Sequence, residues 1–570
     1  MTTPEARGSF HRGVAVPRRI RTCSTGCQVT GHVFVLHGDP TKLQCDGFIV
    51  PCDSLGNVSR WWTTILDRVV PGDEDGVVRP RGVDGVDGLR PLAPHHDREL
   101  TLVDTARQSS SPGDVVRLAI AGLDDLKARV RRRPGRHLPL LALPMLGAGG
   151  GGFGAEGSYI ARKLIASALD WTEANDVDVA IVLRTRAAFV AVQAARREVV
   201  AGGRDGWRAL GASRRPKALA KEADRLGRLA AAGDLSLFVG AGISKPLDLP
   251  DWGQLLARLA AEAGLPHPHR EADKLAAAAE IVETLGRRTY EEEMTRIFGA
   301  ESYAPGHALL AGLHVRKSVT TNYDRALETA VAAQQGTVRV LTGPEATGHL
   351  PWLLKLHGDI ARPSSLVLTK ADFEQLAEVG HPLYGLVQTL LMTSHVLFVG
   401  FAFSDPDFTT TLDQVRRVRA QGSRQSQRSA GRVATALALT EGTVRRAFAQ
   451  EIQTVWMLPA AVKGSDRMAA AARLLEVFLD RLAFTAATTG ELAAEYLLDP
   501  PYRSGLNPAD RALATSLHAF VASLDPLARD SAGWPPVKGL LGDLGMPPET
   551  IEGRPGSTPR WDERVPPMPE

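Results

Sequence analysis

Cysteine is almost missing from this chain. Its 570 residues hold four, Cys23, Cys27, Cys45 and Cys52, all within the first 52 positions. That distribution excludes a disulfide framework and points to a reducing compartment, so the expected location is the cytoplasm. Cys23 and Cys27 are spaced like half of a metal site, but no Cys/His pair at matching spacing follows, and no metal is expected. Long apolar runs are also missing. None approaches the ~20 residues that a bilayer crossing needs, and segments 138–146 and 396–403 are long enough only for buried strands. Arginines at 7, 12, 18, 19 and 21 are followed by no apolar signal core. An excess of one charge is absent too. With 67 Lys+Arg against 64 Asp+Glu the net charge is +3, too small to argue for nucleic acid or a membrane surface. The basic run 127–136 reads first as a solvated helix end, and the arginine-rich run 416–432 as a loop; anion contacts rank second for both.

What remains is an ordinary globular composition, 44% hydrophobic and 23% charged. The length predicts more than one domain. Residues 1–28 are expected to be disordered. Residues 29–200 read as a first α/β domain, with strands near 33–36, 47–50, 138–146 and 177–183, a helix over 158–174 and a long surface loop over 71–98. A Gly/Arg-rich linker is expected at 201–216. A second α/β domain runs over 217–485, with strand candidates at 235–239, 318–321, 353–356, 396–400, 434–439 and 454–458. Alternation with helical segments implies a parallel sheet covered on both faces. Residues 486–546 read as a helical extension and 547–570 as a Pro-rich tail.

The most informative stretch is Leu235-Ser-Leu-Phe-Val-Gly-Ala-Gly-Ile-Ser244, an apolar strand running into a turn of small residues. Strand, glycine turn and helix is the layout that offers backbone N–H groups to a pyrophosphate. The third glycine of the full dinucleotide fingerprint is missing, so the turn alone is a modest signal. Three later segments share its form: Ser318-Val-Thr-Thr-Asn-Tyr-Asp324, Leu353-Leu-Lys-Leu-His-Gly-Asp359 and Val396-Leu-Phe-Val-Gly-Phe-Ala-Phe-Ser-Asp-Pro-Asp407. Each is an apolar strand ending in polar residues, as expected of strands that line one crevice at the carboxyl edge of a parallel sheet. Singly, His357 reads as a turn histidine and Asn322/Asp324 as a helix cap. Together and in this order they read as one site.

These segments resemble the sirtuin-like NAD-binding domain. Gly240-Ala-Gly-Ile-Ser244 is similar to its phosphate loop, Leu249-Pro-Asp-Trp252 to its cofactor loop, Thr321-Asn-Tyr-Asp324 to its Gln-Asn-Ile-Asp motif and Lys355-Leu-His-Gly358 to its catalytic histidine motif. The resemblance implies a Rossmann-type parallel sheet and an NAD site lined by Gly240, Ala241, Gly242, Ser244, Asp251, Asp324, Gly400, Phe401 and Ser404. Asp324 would bind the nicotinamide carboxamide, Asn322 the ribose and a water, and His357 would be the base, work that suits an imidazole with an unperturbed pKa of ~6.5. The family's deacylases carry a cysteine-paired zinc module after the histidine, and no cysteine follows Cys52 here. Water is then the expected nucleophile. The variant resembles the sirtuin-like effectors of bacterial anti-phage systems, which hydrolyse NAD.

The segment 35–50, with Gly38-Asp-Pro-Thr41, resembles the opening of a macro domain. Pro144-Met-Leu-Gly-Ala-Gly-Gly-Gly-Gly-Phe-Gly154 is similar to that fold's phosphate loop. This implies a macro-like first domain that binds an ADP-ribose-like signalling nucleotide made by a partner enzyme, through Asp39, Gly147, Gly149, Gly150 and Gly151. The macro fold's Asn-Ala-Ala-Asn segment is Pro51-Cys-Asp-Ser54 here, which favours binding over catalysis. The expected protein is thus a nucleotide-regulated, NAD-depleting effector that forms a homo-oligomer. The alternatives are a protein deacylase or ADP-ribosyltransferase that uses NAD, and a sensor that binds NAD or ADP-ribose without cleaving it.

Overall fold

The computed structural model describes residues 30–553, except 67–68, 72–76, 81–87, 96, 106–110, 148–152, 267–273, 343–349, 380, 404, 421–431, 442–443, 445–447, 461, 463 and 465. The strands of the first half are β1 (Val33–His37), β2 (Gly47–Cys52), β3 (Val58–Ser59), β4 (Val69–Pro71), β5 (Val77–Pro80), β6 (Leu89–His95), β7 (Arg98–Asp104), β8 (Leu140–Pro144) and β9 (Asp178–Leu183). The helices there are α1 (Pro112–Arg129), α2 (Gly157–Ala174) and α3 (Arg186–Ala201). One six-stranded sheet has the order β1-β9-β8-β2-β7-β6, and β3-β5-β4 form a small antiparallel sheet. In the large sheet only the β6–β7 pair is antiparallel. Every residue of β1, β2, β8 and β9 is buried, the pattern of strands covered on both faces.

The long loop expected over 71–98 is corrected: β5 and β6 lie within it. Pro91 and Pro94 disguise β6. It is an edge strand whose register shifts between Leu92 and His95, and an edge tolerates a residue without an N–H.

The second half contains α4 (Pro216–Ala231), β10 (Leu235–Val239), α5 (Trp252–Glu262), α6 (Lys274–Leu285), α7 (Arg287–Phe298), α8 (Pro305–Ala311), β11 (Lys317–Thr320), α9 (Ala326–Ala333), β12 (Arg339–Leu341) and β13 (Trp352–Lys355). It continues with α10 (Lys370–Val379), α11 (His381–Thr393), β14 (His395–Val399), α12 (Pro406–Ala420), β15 (Ala434–Ala438), β16 (Ile452–Trp456) and α13 (Asp466–Ala487). The seven-stranded sheet is parallel throughout, in the order β12-β13-β11-β10-β14-β15-β16. From β10 the chain builds outward through β11 and β13, then crosses back to place β14 on the other side of β10. That reversal is the switch point at which open α/β sheets form their ligand crevice.

The two large sheets share one continuous apolar core, which runs from Phe34 and Leu36 through Leu226 and Leu475 to Leu237. The Gly/Arg-rich stretch 201–216 belongs to it. Trp207 is buried there, its ring 4.6 Å from that of Phe484 and 4.4 Å beneath the guanidinium of Arg196. Helix α13 packs tightly on α4, where a Cβ on Gly227 would lie 2.6 Å from the Leu482 carbonyl oxygen. Its other face carries Arg473, Glu476 and Asp480 to the first sheet. Arg473 pairs with Asp178 at 2.7 Å, Glu476 with Arg136 at 3.1 Å, and Asp480 with Arg196 at 2.8 Å and His32 at 2.9 Å. Burial raises the Asp480 carboxyl, but Arg196 and His32 outweigh it and hold it below its ordinary value.

Three arginines of the basic run 127–136 are engaged within the protein, while Arg131 and Arg132 are exposed. Arg129 pairs with Glu99 and Asp125, Arg133 with Asp46 and Arg136 with Glu476. No helix among the described residues is long and apolar enough to cross a membrane. Residues 488–553 form short helical turns and the helices Pro508–Ser523, Pro526–Arg529, Trp534–Asp543 and Pro548–Ile551 around a small core of their own. The turn Pro500–Gly505 seats against the start of α2, with Ser158 Oγ donating to the Tyr502 carbonyl at 2.8 Å.

Candidate functional site

Strand register brings the four motifs to one edge. Val239 stands beside Thr320 and Val399, and Thr320 stands beside Lys355. Gly240, Asn322, His357 and Gly400 each follow within two residues of that level, so the four polar segments emerge side by side around β10.

The glycines of the first segment lock two loops together. A Cβ on Gly240 would lie 2.6 Å from the Gly400 carbonyl oxygen, and one on Gly242 would lie 2.9 Å from the Gly400 Cα. Gly400 itself, at φ +68, would place a Cβ 2.5 Å from the Ile243 nitrogen. The N–H of Gly240 donates to the Val399 carbonyl and that of Gly242 to the Gly400 carbonyl. The small residues at 240 and 242 are therefore required for packing, and these two donors are already engaged. Ala241 opens the 3-10 turn Ala241–Leu247 that follows. Asp251 caps α5 through the Gln254 N–H and pairs with Lys245 at 2.8 Å.

Ser244 is the hub beneath these loops. Its Oγ accepts from Asn322 Nδ2 at 3.2 Å and donates to Asp324 Oδ2 at 3.0 Å. The third partner is His307 Nε2 on α8, at 3.2 Å. His307 Nδ1 accepts the Ala304 N–H, so the neutral ring carries its proton on Nε2 and donates to Ser244. Burial pushes the His307 pKa down to about 4, against the pull of Asp324, which keeps the ring neutral near pH 7. Asp324 Oδ1 accepts the Ala326 N–H in the turn that leads into α9. Asn322 Oδ1 is buried and has no hydrogen-bond partner. In a side chain held this firmly, such an acceptor is available to a ligand hydroxyl or a water.

Lys355 fixes the Asn322 segment to the His357 segment. Its fully buried Nζ reaches the carbonyls of Tyr323 and Asp324 at 3.2 and 2.7 Å, and the carboxylates of Glu328 and Asp359 at 2.9 and 3.0 Å. Gly358, at φ +89, takes the turn after the histidine, where a Cβ would lie 2.2 Å from the Ser365 carbonyl oxygen. The His357 side chain is 14% exposed, with Phe373 edge-on at 5.4 Å and Asp405 Oδ2 3.4 Å from Nε2. Burial raises the Asp405 carboxyl, but His357 and the Phe408 and Asp407 N–H groups outweigh it and hold it below its ordinary value. Phe401 packs among Phe238, Phe398, Phe403 and Phe408, with ring centroids 4.6 to 6.0 Å away.

The structure thus brings together Gly240, Ala241, Gly242, Ser244, Asn322, Asp324, His357, Gly400 and Phe401. Ser404 lies outside the described residues. Among those described, no group of three or more His, Cys, Asp or Glu side chains could hold a metal. Sequence reasoning missed His307, and it gave no role to Lys355 or Asp405 inside segments it had singled out.

Residues 316–454, from β11 to the middle of β16, match the model of the SIR2-like domain. The chain carries a SIR2-like domain. It is 30% identical over 210 residues to the NAD(+) hydrolase ThsA of Acinetobacter baumannii (strain 532279), a match that covers 35% of this chain and 43% of that protein. Against the NAD(+) hydrolase ThsA of Bacillus cereus (strain MSX-D12) it is 30% identical over 199 residues, 33% of this chain and 41% of the relative. Defense-associated sirtuin 2 of Bacillus subtilis is 24% identical over 197 residues, 33% of this chain and 20% of that protein. The chain spans less than half the length of the curated relatives it matches.

At the first sheet, Asp39 follows β1 and Gly147, at φ +74, follows β8. Asp39 Oδ1 accepts from the Thr41 N–H and hydroxyl, and its carbonyl accepts the Tyr303 hydroxyl at 2.6 Å. Gly149, Gly150 and Gly151 lie outside the described residues.

Proposed function

We propose that the SIR2-like domain hydrolyses NAD to nicotinamide and ADP-ribose, and that the protein is an NAD-depleting effector of anti-phage defence. The observation that carries this is the clustering of His357 and the Ser244-held pair Asn322 and Asp324 at the switch point of a parallel sheet. The relatives named NAD(+) hydrolase support the same reading. The nicotinamide bond is primed for cleavage, because the leaving group departs as a neutral ring from a pyridinium. The chain's task is to orient the ribose, hold a water and accept a proton. Asn322 Oδ1 is the free acceptor for the ribose hydroxyl or the water, Asp324 the partner of the carboxamide and His357 the base. The glycine turn would let the backbone approach the pyrophosphate closely, although the Gly240 and Gly242 N–H groups are spent on Val399 and Gly400.

The carboxyl edge of the first sheet is the proposed macro-like sensor for an ADP-ribose-like nucleotide. Supporting it are Asp39, Gly147 at φ +74 just past β8, and Arg184 just past β9, whose guanidinium lies 3.9 Å over the Trp61 ring. The test incubates the full chain with NAD, with and without ADP-ribose and cyclic ADP-ribose, and follows nicotinamide release. His357→Ala should abolish turnover with an unchanged melting temperature. No release under any condition, with NAD still bound, would remove the hydrolase and favour a non-catalytic sensor.

A further inference from the structure

Asp405 is the first residue of the turn into α12. Its Oδ1 accepts the N–H groups of Asp407 and Phe408 at 2.9 and 3.2 Å, which is a complete helix cap. Oδ2 takes no part in that cap. It faces His357 Nε2 at 3.4 Å and the Tyr384 hydroxyl, from α11, at 3.5 Å. Phe373 on α10, edge-on to the imidazole, is uncharged. Asparagine or serine would cap α12 as well, and burying a carboxylate is costly unless its charge is matched. Asp405 is only 9% exposed, so capping alone does not account for its charge.

Resting on the hydrolase reading, we propose that Asp405 is a positioning residue that holds His357 with Nε2–H toward its carboxylate, leaving Nδ1 as the nitrogen that accepts the proton. A carboxylate behind an imidazole fixes its tautomer and stabilises the imidazolium that forms. In the step itself, the water oxygen bonds to the anomeric carbon as the carbon–nitrogen bond breaks. The bonding pair goes to the nicotinamide ring, and a water proton goes to Nδ1 and then to solvent. The 3.4 Å separation is longer than a formed hydrogen bond, and catalytic contacts of this kind tighten when substrate binds.

The test compares Asp405→Asn and Asp405→Ala with the wild-type chain by nicotinamide release across NAD concentration and pH. Asp405→Asn keeps the cap and should keep the melting temperature and KM. Its kcat should fall by a factor of up to about 10⁴, the loss expected when the carboxylate behind a catalytic imidazole becomes an amide. The acid limb of its kcat/KM profile should move to lower pH, because the imidazole loses a neighbouring negative charge. Asp405→Ala should also lose thermal stability with the cap. If Asp405→Asn fails to fold, Asp405→Ser caps with a neutral hydroxyl and carries the same expectation. Wild-type kcat and pH profile in a folded neutral variant would overturn the positioning role while leaving the hydrolase intact. A wild-type chain that never releases nicotinamide would overturn both.

Discussion

Replacing Lys355 with methionine removes one charge from the centre of the SIR2-like domain without opening a large cavity. Its ammonium is fully buried between Glu328 and Asp359, whose side chains are 8% and 5% exposed. Burial raises the Glu328 carboxyl and Lys355 pulls against it, so without the lysine that carboxyl takes up a proton or stays as an unpaired buried charge. Breaking a buried pair from one side costs about 3–5 kcal/mol. The carbonyls of Tyr323 and Asp324 lose a donor as well, so the loop that presents Asn322 should loosen before the domain unfolds. Urea unfolding followed by tryptophan fluorescence should show the midpoint falling by the equivalent of that energy. Turnover of NAD, measured at a temperature where the variant is still folded, should fall further than the stability loss explains. Adding Glu328→Gln and Asp359→Asn should restore most of the stability but little activity. A Lys355→Met protein that unfolds at the wild-type urea concentration would refute the reasoning.

Ser244→Ala should remove the shared partner of Asn322, Asp324 and His307. Losing bonds to such buried groups costs about 1–3 kcal/mol, and calorimetry should show that loss together with a raised KM for NAD, as Asn322 and Asp324 are no longer held. Acid should weaken the fold well above the carboxylate range. Burial lowers the pKa of His307 and His395 to about 4 and of His37 to about 3, and it lowers His32 as well. The unfolded chain takes up these protons near pH 6.5 and the folded chain does not, so stability falls as pH drops from about 6.5 toward 4. Glu328 and Glu476, whose pKa values are raised, work in the opposite sense near pH 5. The fall should therefore be clearest in urea midpoints measured between pH 6.5 and 5.5, and a flat response there would contradict the burial of neutral histidines.

Much of the site was legible because each motif carries its own local signature. Continuous apolar runs marked β10 at its observed bounds and placed β11, β13 and β14 within one residue. The polar clusters after them could only be loops at one sheet edge. What stayed hidden depends on distance in sequence. His307 lies in a short helix that looks like any apolar turn, and only the fold carries it to Ser244, 63 positions away. Asp405 meets His357 across 48 positions of chain, and its segment read simply as a polar loop. Lys355 sits in a strand where a charge looks like an exposed end until Glu328 and Asp359 close around it. Trp207 was masked by the Gly/Arg composition around it, and β6 by its prolines.

Helix α13 has a consequence for how the chain is made. His32 finds its carboxylate partner 448 residues later, and the first sheet waits for Arg473 and Glu476 to neutralise Asp178 and Arg136. Loop closure over such separations is slow, and large chains usually complete their domains in order of synthesis. Here the order is interrupted: the first sheet emerges from the ribosome with Arg136 and Asp178 matched only by each other across 3.8 Å, and α4 emerges with Gly227 facing an empty groove. Both are completed by one helix near the end of translation. A truncated product ending before residue 466 would leave both sheets open on that side. The seven-stranded sheet is thus completed only in company with the sheet beside it.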